Sequence, residues 1–271
     1  MGVSGEDRAA PGAVRGGDAM YVVCSTLCFG RLKLDDALRH IREMHFAKAD
    51  LAIHHDGPHL TPAEVTADPG KVAQRLRISN LGFAGFHLTF AELDGPVVRD
   101  QLRGVCRLAR MLAVPLVTVL AAPTGSDMNR EVERLAEWRL MAEADGLLLC
   151  VETAAGTLAG DIAGAVELCR QVPGLGLTLD PSHFVAPPVA GTVDPLYPYV
   201  RHVRMRDTGP TAEQFQVRIG QGEIEYGKVI GHLDRLRYDR ALAVDVRDTI
   251  HCEFPVAPEV RKLKYLLESL V

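Results

Sequence analysis

The clearest indication of the fold comes from residues 146–180, GLLLCVETAAGTLAGDIAGAVELCRQVPGLGLTLD. Two short apolar runs, each ending in a carboxylate, flank a segment that carries apolar residues at helical spacing. Apolar runs of this length are typical of strands that are buried on both faces, as in parallel sheets covered by helices. The stretch therefore predicts a β-α-β unit whose two strands end at Glu152 and Asp180.

The same alternation extends over the chain from residue 20 onward. Helical spacing recurs at 34–45, 97–112 and 130–144, and no long linker or low-complexity segment interrupts the pattern. Repeated strand-helix units indicate either a closed (β/α)8 barrel or a doubly wound open sheet. The further strand-like runs are YVVCST (21–26), ADLAIHH (49–55), GFAGFHL (82–88), PLVTVLA (115–121), HVRM (202–205) and ALAVDV (241–246).

Polar residues at the strand ends favour the closed barrel. In a (β/α)8 barrel the carboxyl ends of all strands meet on one face, where such enzymes place their active sites. An open sheet would scatter the same residues along an edge. We therefore expect α/β architecture, a single-domain (β/α)8 TIM barrel over residues 20–271. The strand-end residues are His54, His55, His87, Glu152, Asp180, His183, Arg204 and Asp245.

The composition limits the classes of partner. The chain has 271 residues, 47% of them hydrophobic, and a net charge of −5, so it can bury a large core but has no charge excess for binding nucleic acid or anionic membranes. Its six cysteines show neither a CxxC pair nor zinc-finger spacing, which indicates reduced core residues and a cytoplasmic protein. Residues 1–19 lack the apolar run of a signal peptide, and we expect a disordered tail there. The expected partner is a small-molecule substrate.

A set of ordered motifs gives a more specific expectation. The segments VETAAGTL (151–158), GLTLDPSHF (176–184), RHVRMRDTGP (201–210) and QVRIGQGEIEYGKVI (216–230), followed by ALAVDV, together resemble the xylose-isomerase-like TIM barrels, the sugar phosphate isomerases and epimerases. That resemblance implies a divalent metal, Mn, Mg or Zn, held by a Glu, an Asp, a His and a Glu at the ends of strands five to eight. Glu152 and Asp180 match the first two positions.

The other two positions depart from the family pattern. Arg204 stands where the family motif HVHLKD or HVHLRD has its second His, and Asp245 stands where strand eight usually ends in Glu. Ala154 also replaces a polar residue of the usual ETHxGT. Arginine has no lone pair to donate and stays protonated, so it cannot be a metal ligand. We expect Arg204 to lie between Glu152, Asp180 and Asp245 and to supply part of the metal's charge; a retained metal would use these three carboxylates.

The resemblance implies proton transfer at the carbon next to a carbonyl of a sugar, cyclitol or related polyhydroxy molecule. Glu152 and Asp245 are the expected acid/base pair, and Arg204 with His87 or His183 would stabilise the oxyanion. Three further residues are expected to contact the substrate: His55, His87 and Asp180. A dehydratase or lyase of the same superfamily and a non-catalytic ligand-binding barrel are the alternatives. Relatives of this kind are often homodimers, and we expect the same here.

Each candidate also has a structural explanation that the sequence leaves open. Glu152 and Asp180 could cap the helices that follow them, and Asp245 could accept hydrogen bonds from backbone amides. Arg204 could pair with Asp207 rather than point into a pocket.

A few other residues are assigned structural roles. From strand alternation we expect His54 to face the surrounding helices and His202 to pack deeper in the barrel than Arg204. Trp138 is expected to pack within its helix, and Gly220 and Gly222 to form a tight turn.

The same superfamily includes apurinic-site endonucleases, which hold a metal cluster through many histidines and carboxylates. Gln214 and Gln216 stand where this resemblance implies an Asp and a His, and Arg204 replaces a further ligand. With a net charge of −5 as well, the sequence argues against DNA repair.

Overall fold

Eight parallel strands close into a barrel in the order in which they occur in the chain. The computed structural model describes residues 20–185 and 192–271; the predicted tail at 1–19 lies outside the described residues. Because β1 pairs with β8 as well as with β2, the sheet has no open edge, and the single-domain TIM barrel is confirmed. The strands are β1 (Tyr21–Ser25), β2 (Lys48–His54), β3 (Gly82–Thr89), β4 (Leu116–Val119), β5 (Leu148–Glu152), β6 (Gly176–Leu179), β7 (Val200–Met205) and β8 (Ala241–Val244).

Helices cover the outside of the barrel. The four helices predicted from apolar spacing are confirmed, with ends that differ by no more than two residues. Short 3-10 turns stand at Thr26–Phe29, Pro181–Phe184, Asp194–Tyr199 and Ala212–Gln214. The α-helices are α1 (Leu34–Glu43), α2 (Pro62–Ala67), α3 (Pro69–Arg77), α4 (Pro96–Met111), α5 (Met128–Ala144), α6 (Ile162–Gln171), α7 (Tyr226–Arg235) and α8 (Val256–Glu268).

Side-chain caps fix where several helices begin. The carboxylate of Asp127 accepts hydrogen bonds from two backbone amides of the first turn of α5, and Asp161 does the same for one amide of α6. These bonds satisfy N–H groups that have no partner inside the helix. The caps therefore define where the loops that follow β4 and β5 end and these helices begin.

The barrel interior is apolar at one end and polar at the other. A small cluster that includes Val23, Ala84 and Ala243 fills the end where the strands begin. Toward the carboxyl ends the inward side chains become polar: Thr118 and Thr178 share a hydrogen bond of 2.7 Å, and charged groups lie beyond them. Small apolar residues fill the end where the strands begin, and charged residues lie at the carboxyl ends. The carboxyl ends are therefore where an active site would lie.

The six cysteines are free thiols, five of them buried, in agreement with the prediction of reduced core residues. Within residues 20–185 and 192–271, no helix has the length and apolar character needed to cross a membrane.

Candidate active site

One buried carboxylate is shared by three guanidinium groups. Asp245 directly follows β8 and is fully buried. Its Oδ1 accepts a hydrogen bond from Arg204 Nη2 at 2.8 Å, and its Oδ2 accepts from Arg206 Nη2 at 2.6 Å and from Arg247 Nε at 3.2 Å. Burial opposes ionisation of Asp245, but the charges of the three arginines outweigh it and hold its pKa well below the ordinary value. Asp245 is thus an anion at neutral pH.

Arg206 links two strand ends, a role that the sequence analysis did not assign to it. Its Nη2 donates to Asp180 Oδ2 and to Asp245 Oδ2, each at 2.6 Å, and its guanidinium lies 4.8 Å from the ring centre of Phe215. The other oxygen of Asp180 caps the turn that follows β6 by accepting from the backbone and hydroxyl of Ser182. Inward alternation along β7 predicts that residues 202, 204 and 206 share a direction, and this signal could have identified Arg206.

Arg204 lies one inward position deeper than Arg206. The predicted pairing with Asp245 is confirmed at 2.8 Å, and Glu152 lies 3.8 Å from Arg204 Nε. The expected contact with Asp180 is wrong, because Arg206 holds that carboxylate instead. The additional acid beside Arg204 is Asp50 on β2, at 3.8 Å.

The alternative pairing of Arg204 with Asp207 is not found either. Asp207 Oδ2 accepts the backbone N–H groups of Gly220 and Gly222, at 2.6 and 3.2 Å. Gly220 has φ of 84°, a conformation that favours glycine, so the predicted glycine turn is confirmed.

His202 and Asp50 face each other in the barrel interior, deeper than Arg204. Their Nε2 and Oδ2 atoms are 3.3 Å apart, and both side chains are buried. Burial works against ionisation of Asp50, yet the charges of His202 and Arg204 lower its pKa overall. The prediction that His202 packs in the interior is confirmed.

A hydrogen-bonded chain runs from Glu152 to β2. Glu152 Oε2 is 2.9 Å from His87 Nε2, and His87 Nδ1 is 2.7 Å from His54 Nε2. The prediction that His54 faces the helices is wrong: it shares its strand parity with Asp50, and both point into the barrel. Burial opposes ionisation of Glu152, but its interaction with His87 and the charges of Arg204 and Arg247 hold its pKa well below the ordinary value.

A cavity of about 540 Å³ opens above this chain. Of the predicted site residues, His55, His87, Glu152 and His183 line it. The lining does not include Asp180, Arg204 or Asp245, which lie in the buried network beneath. His55 is at the rim with 40% of its side chain exposed, and Trp138 combines the predicted helix packing with a place in the cavity wall.

His183 presents a hydrogen-bond donor at this cavity. Its Nδ1 accepts from the backbone N–H of Ala155 at 3.1 Å, so in the neutral ring the proton is on Nε2, 3.7 Å from Asp180 Oδ2. Burial lowers the pKa of His183, although Asp180 and Glu152 partly offset the effect. The neutral imidazole can therefore donate through Nε2.

Arg247 was missed by sequence reasoning although it stands two residues beyond Asp245 on the same inward parity. Its backbone is held by Gln216, whose Oε1 accepts the N–H at 2.6 Å and whose Nε2 donates to the carbonyl at 3.0 Å. Its side chain is 34% exposed and lines both the 540 Å³ cavity and a neighbouring one of about 620 Å³. Since Nε binds Asp245, the two Nη groups are free to meet a ligand.

The residues at the four family metal positions do not fit a divalent cation. Arg204 has no lone pair, and a nitrogen of Arg206 stands between the carboxylates of Asp180 and Asp245, where its charge would repel a metal. In the part of the chain that the structure describes, no group of three or more His, Cys, Asp or Glu is arranged to hold a metal ion.

The fold agrees with comparisons to known proteins. The family model described as xylose isomerase-like TIM barrel matches residues 35–268, and the chain belongs to this family. Similar solved structures include a D-tagatose 3-epimerase-like protein (19% identity, TM-score 0.69, covering 93% of this chain and 98% of that one). An L-ribulose 3-epimerase has 18% identity and TM-score 0.69, with coverage of 93% and 95%. A probable 3-DHS dehydratase from Bacillus anthracis has 15% identity and TM-score 0.69, with coverage of 92% and 99%. Among curated proteins, none matches the sequence.

Replacing Asp245 tests the shared carboxylate. Asp245→Asn removes the charge that faces three arginines and leaves their buried positive charges with too little negative charge nearby, which costs ~3–5 kcal/mol of unfolding free energy. Urea titration measures this loss. The matched control is Asp239→Asn, at a site whose side chain is 58% exposed. If the Asp245→Asn variant had the same unfolding free energy as the control, the hydrogen bonds between Asp245 and the arginines would contribute nothing to stability.

The stability of the fold should fall on mild acidification. Burial, followed by the interactions with His87 and Arg204, lowers the pKa of His54 from 6.5 to about 2. The unfolded chain takes up this proton as pH falls below 6.5 and the folded chain does not, so the free energy of unfolding decreases from about pH 7 to 5. Glu152 and Asp245, with lowered pKa values, add a loss only at more acidic pH.

His54→Gln should flatten the dependence between pH 7 and 5, and the exposed His251→Gln should leave it unchanged. The measurement is the urea midpoint and slope at each pH. Equal pH dependence in the wild type and His54→Gln would contradict the assignment of a buried neutral ring to His54.

Proposed function

We propose that this protein is an isomerase- or epimerase-like enzyme that moves a proton at the carbon next to a carbonyl of a sugar, cyclitol or related polyhydroxy molecule. The observation that carries the proposal is the content of the 540 Å³ cavity: a buried carboxylate-imidazole pair and two hydrogen-bond donors share one set of walls. Enolate chemistry needs a proton acceptor and a stabiliser of the developing oxyanion in the same site.

The acceptor side is the pair Glu152 and His87. Glu152 accepts a hydrogen bond from His87 Nε2, and a carboxylate bonded to an imidazole N–H stabilises a positive charge on the ring, as the Asp of the serine protease triad does through Nδ1. The low pKa of Glu152 keeps it in the charged form that performs this task. Proton uptake by His87 is therefore the step that the geometry favours.

The oxyanion side is formed by Arg247 and His183. Arg247 offers two free Nη groups, and neutral His183 offers Nε2–H. Both donors are held in place: Arg247 by Asp245 of the buried network, and His183 by the backbone N–H of Ala155. Donors fixed before reaction cost no reorganisation when the negative charge develops.

Arg204 and Arg206 take over the electrostatic task of a metal. Their charges lie among Glu152, Asp180 and Asp245, so the negative charge of the buried carboxylates is balanced without a metal ion. In this proposal Asp245 positions Arg247 and does not touch the substrate, which differs from the acid/base role predicted from the resemblance.

The relatives are compatible with this reaction class. The printed descriptions of similar structures include an L-ribulose 3-epimerase and a probable 3-DHS dehydratase. Both elimination and epimerisation can begin with removal of a proton next to a carbonyl, so a dehydratase is the second outcome to look for in product analysis. Binding without turnover would identify a non-catalytic barrel.

Turnover should depend on Glu152. In a panel of ketoses, inososes and keto acids, the wild type is expected to exchange a substrate C–H hydrogen with D₂O, observed by proton NMR. Glu152→Gln removes the carboxylate charge beside His87 and should lower the rate ~100-fold or more. Glu133→Gln, on the exposed face of α5, is the control. Equal rates in Glu152→Gln and the control would exclude the proposed acceptor.

The reaction should also proceed without a divalent cation. Protein purified without chelator is expected to contain no stoichiometric Mn, Mg or Zn by elemental analysis, and EDTA should leave turnover unchanged, because two guanidinium groups already pair with the carboxylates. One metal per chain, with activity lost in EDTA and regained on its return, would refute the replacement of the metal by arginine.

A further inference from the structure

We infer that His54 is the residue that removes the substrate proton, with His87 and Glu152 acting behind it as a relay; this inference rests on the proposed function. Glu152 and His87 have side chains only 3% and 4% exposed, so neither reaches far into the cavity. His54 lines the same cavity and is hydrogen-bonded to His87. A substrate would therefore meet His54 before it could meet the pair behind it.

The direction of each hydrogen bond follows from the chemistry of its acceptor. Ionised Glu152 can only accept, so His87 must donate through Nε2. In the neutral ring Nδ1 of His87 then carries a lone pair, and the 2.7 Å contact requires His54 to donate through Nε2. The remaining nitrogen, His54 Nδ1, therefore carries a lone pair.

That lone pair is available to a ligand. His54 Nδ1 makes no hydrogen bond to any residue within 20–185 and 192–271. The backbone around it is tight: a Cβ at Gly57 would lie 2.6 Å from His54 Cβ, and the Gly57 N–H donates to the His54 carbonyl at 3.2 Å. The turn after β2 thus holds the ring in place.

The proton balance of the step is closed by His87. The substrate C–H bond breaks and its electron pair stays on carbon as an enolate, while the proton binds His54 Nδ1. The His54 Nε2–H bond breaks as a His87 Nδ1–H bond forms, so the positive charge is on His87, beside the Glu152 carboxylate at 2.9 Å. Reversal of the two transfers returns a proton to the substrate carbon or to its neighbour.

The relay explains why the charge does not remain on His54. Burial and the charges of Arg204 and Arg247 disfavour a positive charge on the His54 ring, and Glu152 is the acid that offsets them. His87 contacts that acid directly and His54 does not. Passing the proton inward therefore places the charge next to its carboxylate.

The first arm of the test is the tautomer state of the wild type. Long-range ¹H–¹⁵N NMR correlations on ¹⁵N-labelled full-length protein at pH 7.5 should show His54 and His87 each protonated at Nε2 and unprotonated at Nδ1. Protonation of His54 at Nδ1 would overturn the inference, whatever the enzyme's activity. This arm needs neither a substrate nor a variant.

The second arm is the exchange of substrate hydrogen with D₂O, for the panel compound that the wild type turns over. His54→Gln keeps a hydrogen-bonding side chain but cannot transfer a proton, so kcat should fall ~100-fold or more with KM changed far less. His251→Gln, exposed on the loop after β8, should match the wild type. Circular dichroism and thermal unfolding check that His54→Gln folds.

The outcomes separate the two proposals. Normal exchange in folded His54→Gln, with exchange lost in Glu152→Gln, would overturn the role of His54 and leave the proposed function standing. A wild type that turns over no panel compound would contradict the proposed function and the catalytic role of His54 together. The expected pair of results, Nε2-protonated rings and a selective loss of kcat, would support both.

Discussion

The structure of the site depends on the carboxylate of Asp245, which three arginines share. Arg204 donates a hydrogen bond to it from deeper in the barrel, Arg206 links it to Asp180, and Arg247 donates to it from the side of the cavity. A charge buried at this depth is tolerated only with compensation and hydrogen bonds, so a change in any one of these residues alters the charge balance of the others. The same interaction therefore holds three strand ends together and directs Arg247 toward the ligand.

This network separates the charge-balancing residues from those that face the cavity. Asp180, Arg204, Arg206 and Asp245 lie in the buried part, while Glu152, His87, His183 and Arg247 line the space that a substrate would fill. A metal ion performs both tasks at once in an enzyme that has one, since it balances carboxylates and binds substrate oxygen. In the proposed mechanism arginines balance the charge, and fixed hydrogen-bond donors bind the oxygen.

The barrel was predictable from sequence because buried parallel strands form apolar runs and each run ends in a polar residue, as GLLLCVET and GLGLTLD do. The Arg204–Asp245 pair was predictable because a guanidinium cannot take the place of a metal ligand. The partner of Asp180 could not be predicted, because the sequence does not show which of the two inward arginines, Arg204 or Arg206, binds its carboxylate. The orientation of His54 was predicted wrongly for a related reason. Residues of β2 at the same parity as Asp50 point inward, and only the closed barrel shows that Asp50 lies in the interior.

Guanidinium groups occupy the space between the strand-end carboxylates, at the positions where the family resemblance implies a divalent cation. Anomalous diffraction from crystals soaked in manganese tests it most directly. We expect continuous density for Arg206 between Asp180 and Asp245, for Arg204 against Asp245, and no anomalous peak among these carboxylates. A manganese peak bound by Glu152, Asp180 and Asp245, with Arg204 and Arg206 displaced, would contradict it.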